Sequence, residues 1–236
     1  IPVGTRAEAL DGEVLRRLYE TGCRNIVYAP ESGSQRMLDI FDKKVKLPHI
    51  LESLRIAHRT GLRTHVNVII GHPEERWTDL FKSLRFLVKA ALTGCDDCAP
   101  IIFCPYPGSA DFERLVAEGR LTVDEATCYI GLSRSSAAAR SFNPRISARQ
   151  LRLAQLGLLA IFYSTAVARR PARVLEFLRA QITGRETTYL DQMVRSIRQS
   201  RRAAATRKPT HVGARPHADR WFRQRRSNDT ELDSVA

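Results

Sequence analysis

One unit recurs three times along the chain, in the order helix, glycine, apolar strand, polar loop, and few architectures accept that order. Between Asp11 and Gly22 the residues Val14, Leu15, Leu18 and Tyr19 fall at helical spacing, with Asp11 placed to cap the start and Gly22 to end the helix. A buried strand is predicted next, from Asn25 to Ala29, built on Ile26, Val27 and Tyr28. The unit returns with Ile50, Leu51, Leu54, Ile56 and Ala57 on a helix ended by Gly61, then a β-branched strand from His65 to Ile70. It returns again from Leu80 through Leu92, with Gly94 as the stop and Ala99 to Phe103 as the strand. Parallel strands need a crossover to reconnect, so the alternation predicts βα units around a parallel sheet covered by helices.

The loops that leave these strands read Pro30-Glu31-Ser32-Gly33-Ser34, Gly71-His72-Pro73-Glu74-Glu75 and Pro105-Tyr106-Pro107-Gly108-Ser109. All three are expected at strand C-terminal ends, where parallel α/β folds gather their chemistry.

A length of 236 residues allows one good core plus an appendage and excludes a small disulfide scaffold. The net charge of +13 is unevenly placed: residues 1–133 hold 17 Lys/Arg and 18 Asp/Glu, leaving 21 basic and 7 acidic residues for 134–236. The reading is a neutral globular part joined to a cationic part. Five cysteines make an odd set without a secretory framework, and no signal peptide precedes Ile1, so a cytoplasmic location is expected. The opening Ile-Pro-Val-Gly-Thr-Arg has neither an initiator Met nor an element start signal, as though the chain began inside an existing element.

Over roughly residues 1–125 the three loops resemble the radical S-adenosylmethionine superfamily, especially the class that pairs its barrel with an N-terminal cobalamin-binding domain. Glu31-Ser32-Gly33-Ser34, followed by Gln35-Arg36-Met37-Leu38, is similar to that family's Glu-Ser-Gly-Ser and short helix, and Lys43 or Lys44 falls where such proteins carry a Lys. A Gly-x-Ile-x-Gly-x-x-Glu pattern maps onto Asn67, Ile69, Gly71 and Glu74, with Asn in place of the first Gly. Pro105 to Ser109 and Gly119-Arg120-Leu121 match the third element.

The resemblance implies a partial (β/α) TIM-like barrel of radical S-adenosylmethionine type at 1–125; beyond it, amphipathic faces and composition predict an all-α appendage at 126–199 and a basic, disordered tail at 200–236. It implies S-adenosylmethionine as cosubstrate and a four-iron four-sulfur cluster (4Fe-4S) whose Cys-x-x-x-Cys-x-x-Cys loop is absent from this chain. Thr5 to Leu10 resembles the end of the third barrel strand, so the N-terminal barrel half and any cobalamin domain are expected upstream. On this reading the chain alone is an inactive fragment. Glu31 and Ser32 are assigned to the ribose and amino-acid portions of the cosubstrate, Ile69 and backbone groups near Phe103 and Cys104 to its adenine, Gly71 to a close backbone approach, and Gly33 and Asn67 to cofactor binding without a stated portion.

Simpler alternatives stand beside each assignment. Ser32 or Ser34 is also an ordinary helix N-cap, Gly71 and Pro73 an ordinary turn, and the third loop a rigid turn. Cys95-Asp96-Asp97-Cys98 lacks a second ligand pair for zinc and the spacing for a cluster, and reads as an incidental loop pair. His49, His58, His65 and His72 converge at no metal-ligand spacing and receive no role.

In the cationic half, Leu153 to Ala168 is apolar and flanked by Arg149, Arg152, Arg169 and Arg170, but shorter than the ~20 residues of a bilayer span. It reads as a helix closing the barrel's open side, or as one lying at a membrane interface. Further amphipathic faces are predicted at Val174 to Leu178 and Tyr189 to Ile197. The expected substrate is a small molecule, with an inclination to a lipid-like one. The rival is a non-catalytic basic protein that binds nucleic acid or a membrane surface.

Overall fold

A computed structural model of the chain describes residues 10–121 and 140–175, together with Arg179, Thr188 and Val194. Its elements are α1 (Gly12–Glu20), β1 (Asn25–Glu31), α2 (Gln35–Ile40), α3 (Leu47–Thr60), β2 (Arg63–Ile70), α4 (Trp77–Thr93), β3 (Asp97–Ile102), α5 (Ala110–Ala117) and α6 (Ala148–Arg169).

The strands form one three-stranded parallel sheet in chain order, as the alternation requires. Asp11 caps α1 by accepting the Val14 N–H at 2.8 Å. Gly61 (φ +91°) and Gly94 (φ +106°) end α3 and α4 in the left-handed conformation that glycine adopts without strain.

Several element boundaries differ from the sequence expectation. β1 runs on past Ala29 through a bulge to Glu31, which holds φ +70°. β3 begins at Asp97 and stops at Ile102, because Asp97 pairs in register with His65 and its carboxylate meets that imidazole. Phe103 still donates its N–H to the Ile70 carbonyl at 2.8 Å. α4 starts at Trp77, three residues before Leu80, because the Asp79 carboxylate accepts the Arg76 N–H and completes an earlier first turn.

One core unites the sheet with α1 to α4 and α6, and a second, smaller cluster gathers Phe112 and Leu115 of α5 with Leu121 and Phe142. Ile26, Tyr28, Val66, Val68 and Ile70 point into the main core from the strands, and Leu158, Leu159, Phe162 and Ala166 reach it from α6. Tyr28 is fully buried, and its hydroxyl is satisfied by Ser53, which in turn donates to the Leu10 carbonyl. The opposite sheet face carries Val27, Ala29, His65, Asn67 and Ile69, all half-buried, and the exposed Ile101.

The apolar run from Leu153 is the middle of a 22-residue helix, started by Ser147 and Gln150 in a reciprocal cap. It is long and apolar enough to cross a membrane. Its inner face nonetheless packs on β3 and α4, with Gln155 donating to the Pro100 carbonyl at 2.7 Å. The expected strand end at 5–9, the last residues of the expected barrel part at 122–125, the start of the appendage at 126–139, most of the two later amphipathic faces and the tail from Ser200 lie outside the described residues.

Candidate functional site

The three loops singled out in the sequence leave the C-terminal ends of β1, β2 and β3 and meet there. The loop after β2 is their hub, and the ties are polar. Arg36, on α2, pairs with Asp79 at 2.5 Å and also donates to the Glu74 carbonyl at 2.7 Å. Ser34 donates its hydroxyl to the other Asp79 oxygen at 2.6 Å. Burial alone would raise the pKa of Asp79, but hydrogen bonds from Arg36, Ser34 and the Arg76 N–H outweigh it and bring the value down to about 2.

His72 is buried between Phe41 and Phe103, with ring centroids 5.0 Å and 4.9 Å away. Its Nδ1 accepts the Glu74 N–H at 3.2 Å and its Nε2 faces Asp111 at 3.1 Å. Those roles suit a neutral imidazole with the proton on Nε2, and burial pushes its pKa down. Asp111 and Arg114, both on α5, thereby join the third loop to the second, since Arg114 also pairs with Glu74 at 3.3 Å. From the far side Asn143 donates to the carbonyls of His72 (2.6 Å) and Glu75 (2.8 Å).

The carboxylate that turns back onto the Gly71 N–H is Glu75, at 2.5 Å, whereas Glu74, matched from the sequence, is exposed. Glu75 is almost wholly buried and its Oε1 has no partner. Burial raises its pKa to about 7. The folded state thus holds this proton more tightly than the unfolded chain, whose carboxyl titrates near 4.5. Stability is full below the unfolded value and falls as pH rises from there to about 7. The loss is on the order of 3 kcal/mol. Glu75→Gln, an isostere of the protonated form, is expected to raise the urea midpoint at about pH 8 and leave it nearly unchanged at about pH 5. Equal effects at both pH values would contradict this account.

Of the eight residues assigned by resemblance, Glu31, Asn67 and Ile69 present side chains that are half-buried at the strand ends or on the sheet face opposite the core. Glu31 is held by Lys43 at 3.1 Å. Ser32 and Gly33 turn into the core instead. The Ser32 hydroxyl lies 3.3 Å from that of Ser83 and accepts the Ser34 N–H, while Gly33 donates its N–H to Ser83 at 3.0 Å. Ser34 occupies the N-cap of α2, yet its hydroxyl serves Asp79 rather than the helix. Gly71 does not open its backbone to a ligand on the side where a side chain would stand: a Cβ there would lie 2.6 Å from Leu151 of α6, so that side is filled by protein. Phe103 is half-buried against His72 and Phe142, and Cys104 is half-buried beside the Pro105 carbonyl.

A second polar chain crosses the opposite, half-buried face. His65 Nδ1 lies 2.8 Å from Asp97, and its Nε2 lies 2.6 Å from the Asn67 side-chain oxygen. Asp97 also accepts from the Tyr163 hydroxyl of α6. Burial lowers the His65 pKa, but the hydrogen bonds to Asp97 and Asn67 prevail and raise it. Cys95 and Cys98 are buried, the latter within β3, and burial pushes the Cys95 thiol up to about 12. Among the described residues no three His, Cys, Asp or Glu side chains gather to hold a metal.

Fold and site together define an α/β protein with a parallel sheet and a rigid, hydrogen-bonded loop cluster at its strand ends. The chain matches no protein-family model. It is similar, at 26% identity over 117 residues, to an uncharacterized methyltransferase of Pyrococcus horikoshii. The match takes in half of this chain and a quarter of that protein's length.

Proposed function

We propose that this chain contributes the last strands of a radical S-adenosylmethionine barrel, and that the complete protein uses S-adenosylmethionine to modify a small molecule. The observation that carries the reading is the meeting, at one edge of a parallel sheet, of three loops that resemble that family's in the family's order. Similarity to an archaeal methyltransferase supports a protein that handles the same cosubstrate. The half-exposed sheet face, with Asn67 and Ile69, is the surface on which it would lie.

A four-iron four-sulfur cluster would supply the electron that splits the cosubstrate's sulfonium bond. The described residues of this chain do not fit it, since buried Cys95 and Cys98 have no third ligand beside them. We place its ligands outside the described residues, and in the class this chain resembles cobalamin is held by a separate domain.

What this chain supplies is binding and orientation. Glu31, fixed by Lys43, would accept from the ribose hydroxyls or the cosubstrate ammonium. Ile69 offers an apolar bed for adenine. Because its side-chain oxygen faces His65 Nε2, Asn67 would turn its amide N–H₂ outward as a donor to the ligand. The Phe103 N–H is taken by Ile70, which leaves the carbonyls of Phe103 and Cys104 to meet the adenine amino group. Ser32, Gly33 and Gly71 act as positioning residues.

The test uses the longer polypeptide of which this chain would form part, with a three-cysteine loop upstream of Ile1, reconstituted anaerobically with iron and sulfide and reduced. Release of 5′-deoxyadenosine and methionine from S-adenosylmethionine is expected, with KM for the cosubstrate raised about tenfold in Asn67→Ala and Glu31→Ala. S-adenosylhomocysteine as the sole product would overturn the radical reading in favour of polar methyl transfer. Absence of the three-cysteine loop would overturn it as well.

A further inference from the structure

We propose that the outward faces of α4 and α6 form a docking surface for an anionic lipid bilayer, on which the protein rests with both helices along the membrane plane. The two helices pack side by side, and six of the twelve large apolar side chains exposed among the described residues are theirs. Phe81 (60%), Leu92 (53%) and Trp77 (38%) lie on α4, and Leu153 (61%), Leu156 (52%) and Ile161 (42%) on α6.

The charges beside them are of one sign. The outward side of α4 carries Lys82, Arg85 and Lys89, and its sole carboxylate, Asp79, is buried against Arg36. No Asp or Glu occurs in α6, whose cations are Arg149, Arg152 and Arg169. By contrast α1 and α3 show the mixed charges of an ordinary solvated surface, with the pairs Glu13–Arg17 and Glu52–Arg55.

Exposed apolar and aromatic side chains set among cations alone are what an anionic lipid interface selects: alkyl groups enter the acyl boundary while Lys and Arg reach the headgroups. A second copy of the chain would bring like charges together. Nucleic acid would gain nothing from exposed leucines. The inner face of α6 is buried on the sheet and α4, so the helix lies on the membrane and does not span it.

The full chain carries two tryptophans, Trp77 and Trp221, so a W221F background makes Trp77 the reporter. Co-sedimentation with vesicles of phosphatidylcholine and phosphatidylglycerol in equal parts is expected, with little binding to phosphatidylcholine alone and a shift of Trp77 emission to shorter wavelength. The triple variant F81S/L153S/L156S should keep its circular dichroism and lose more than about tenfold in vesicle affinity, because each exposed side chain contributes apolar burial only on the lipid. K82E/R85E/K89E, a second variant at exposed positions, should lose a similar factor. Undiminished binding in both variants would assign any lipid affinity to the arginine-rich C-terminal segment and overturn the proposal. So would failure to bind anionic vesicles, dissociation of a dimer by the same substitutions, or an equal loss of oligonucleotide binding.

Discussion

Gly33→Ala is expected to lower the thermal unfolding midpoint by about 6–12 °C, the equivalent of about 3 kcal/mol for a chain of this size. A Cβ at position 33 would stand 2.5 Å from the Ser83 Cα, 2.6 Å from the Phe86 Cβ and 2.9 Å from the Lys82 carbonyl oxygen. Two of these neighbours are the backbone of α4 itself, which cannot swing aside as the end of a flexible side chain can. The added methyl group therefore forces β1's exit loop and α4 apart, breaking the Gly33 N–H to Ser83 bond in the buried contact. Gly157 supplies the control. It lies inside α6 with open space within 4 Å of where a Cβ would stand, so Gly157→Ala should stabilise the protein by about 0.5–1 kcal/mol through lost unfolded-state entropy. Differential scanning calorimetry of the two variants reads both signs. A Gly33→Ala midpoint within about 2 °C of the parent would show that the loop and α4 can separate freely.

This contact changes what the Glu-Ser-Gly-Ser segment is for. Read as sequence, its small residues suggest room for a ligand. In the fold, Ser32 and Gly33 spend their small size on a close approach to α4, and Ser34 spends its hydroxyl on Asp79. Only Glu31, lifted by its positive φ and steadied by Lys43, keeps a group free of the core. A rigid loop bearing one outward carboxylate is a better orienting device than a mobile one, because a binding group held in place loses less entropy when it engages.

The fold was legible where chemistry is local. Gly61 and Gly94 end helices because their positions need left-handed backbone, and the β-branched run at Val66 to Ile70 has no good alternative to a strand. Strand ends were harder to read, since Asp97 looks like a loop residue until His65 stands beside it. The site was legible in outline, as three loops at one sheet edge, but its hub was not. Arg36 and Asp79 are 43 residues apart, His65 and Asp97 are 32, and Asn143 and His72 are 71. No spacing rule links residues so distant. Glu75 was missed for a different reason: it adjoins Glu74, and only burial tells which of two adjacent carboxylates faces inward.

The Arg36–Asp79 pair sets the other large expectation, a loss of about 2–4 kcal/mol for Asp79→Ala, the sum of a buried hydroxyl left without its acceptor and a lost helix cap. Asp79 is 1% exposed and serves three donors: Arg36, the Ser34 hydroxyl and the Arg76 N–H. Removing it leaves the Ser34 hydroxyl buried without its acceptor and deprives α4 of its first-turn cap. Arg36→Met should cost less, because Arg36 is 34% exposed and Asp79 would keep its other two donors. The double variant should then cost less than the sum of the two, and urea unfolding across the cycle measures that coupling. The pH dependence gives an independent sign. The folded-state pKa of Asp79 is depressed to about 2 from 3.8, so its contribution is full above the unfolded value and is lost as pH falls through the folded one. The gap between parent and Asp79→Ala should therefore be constant near neutrality and narrow in acid toward pH about 2. A gap independent of pH across that window would mean that Asp79 acts through shape alone, and the loop cluster would then owe its rigidity to packing around His72 rather than to charge.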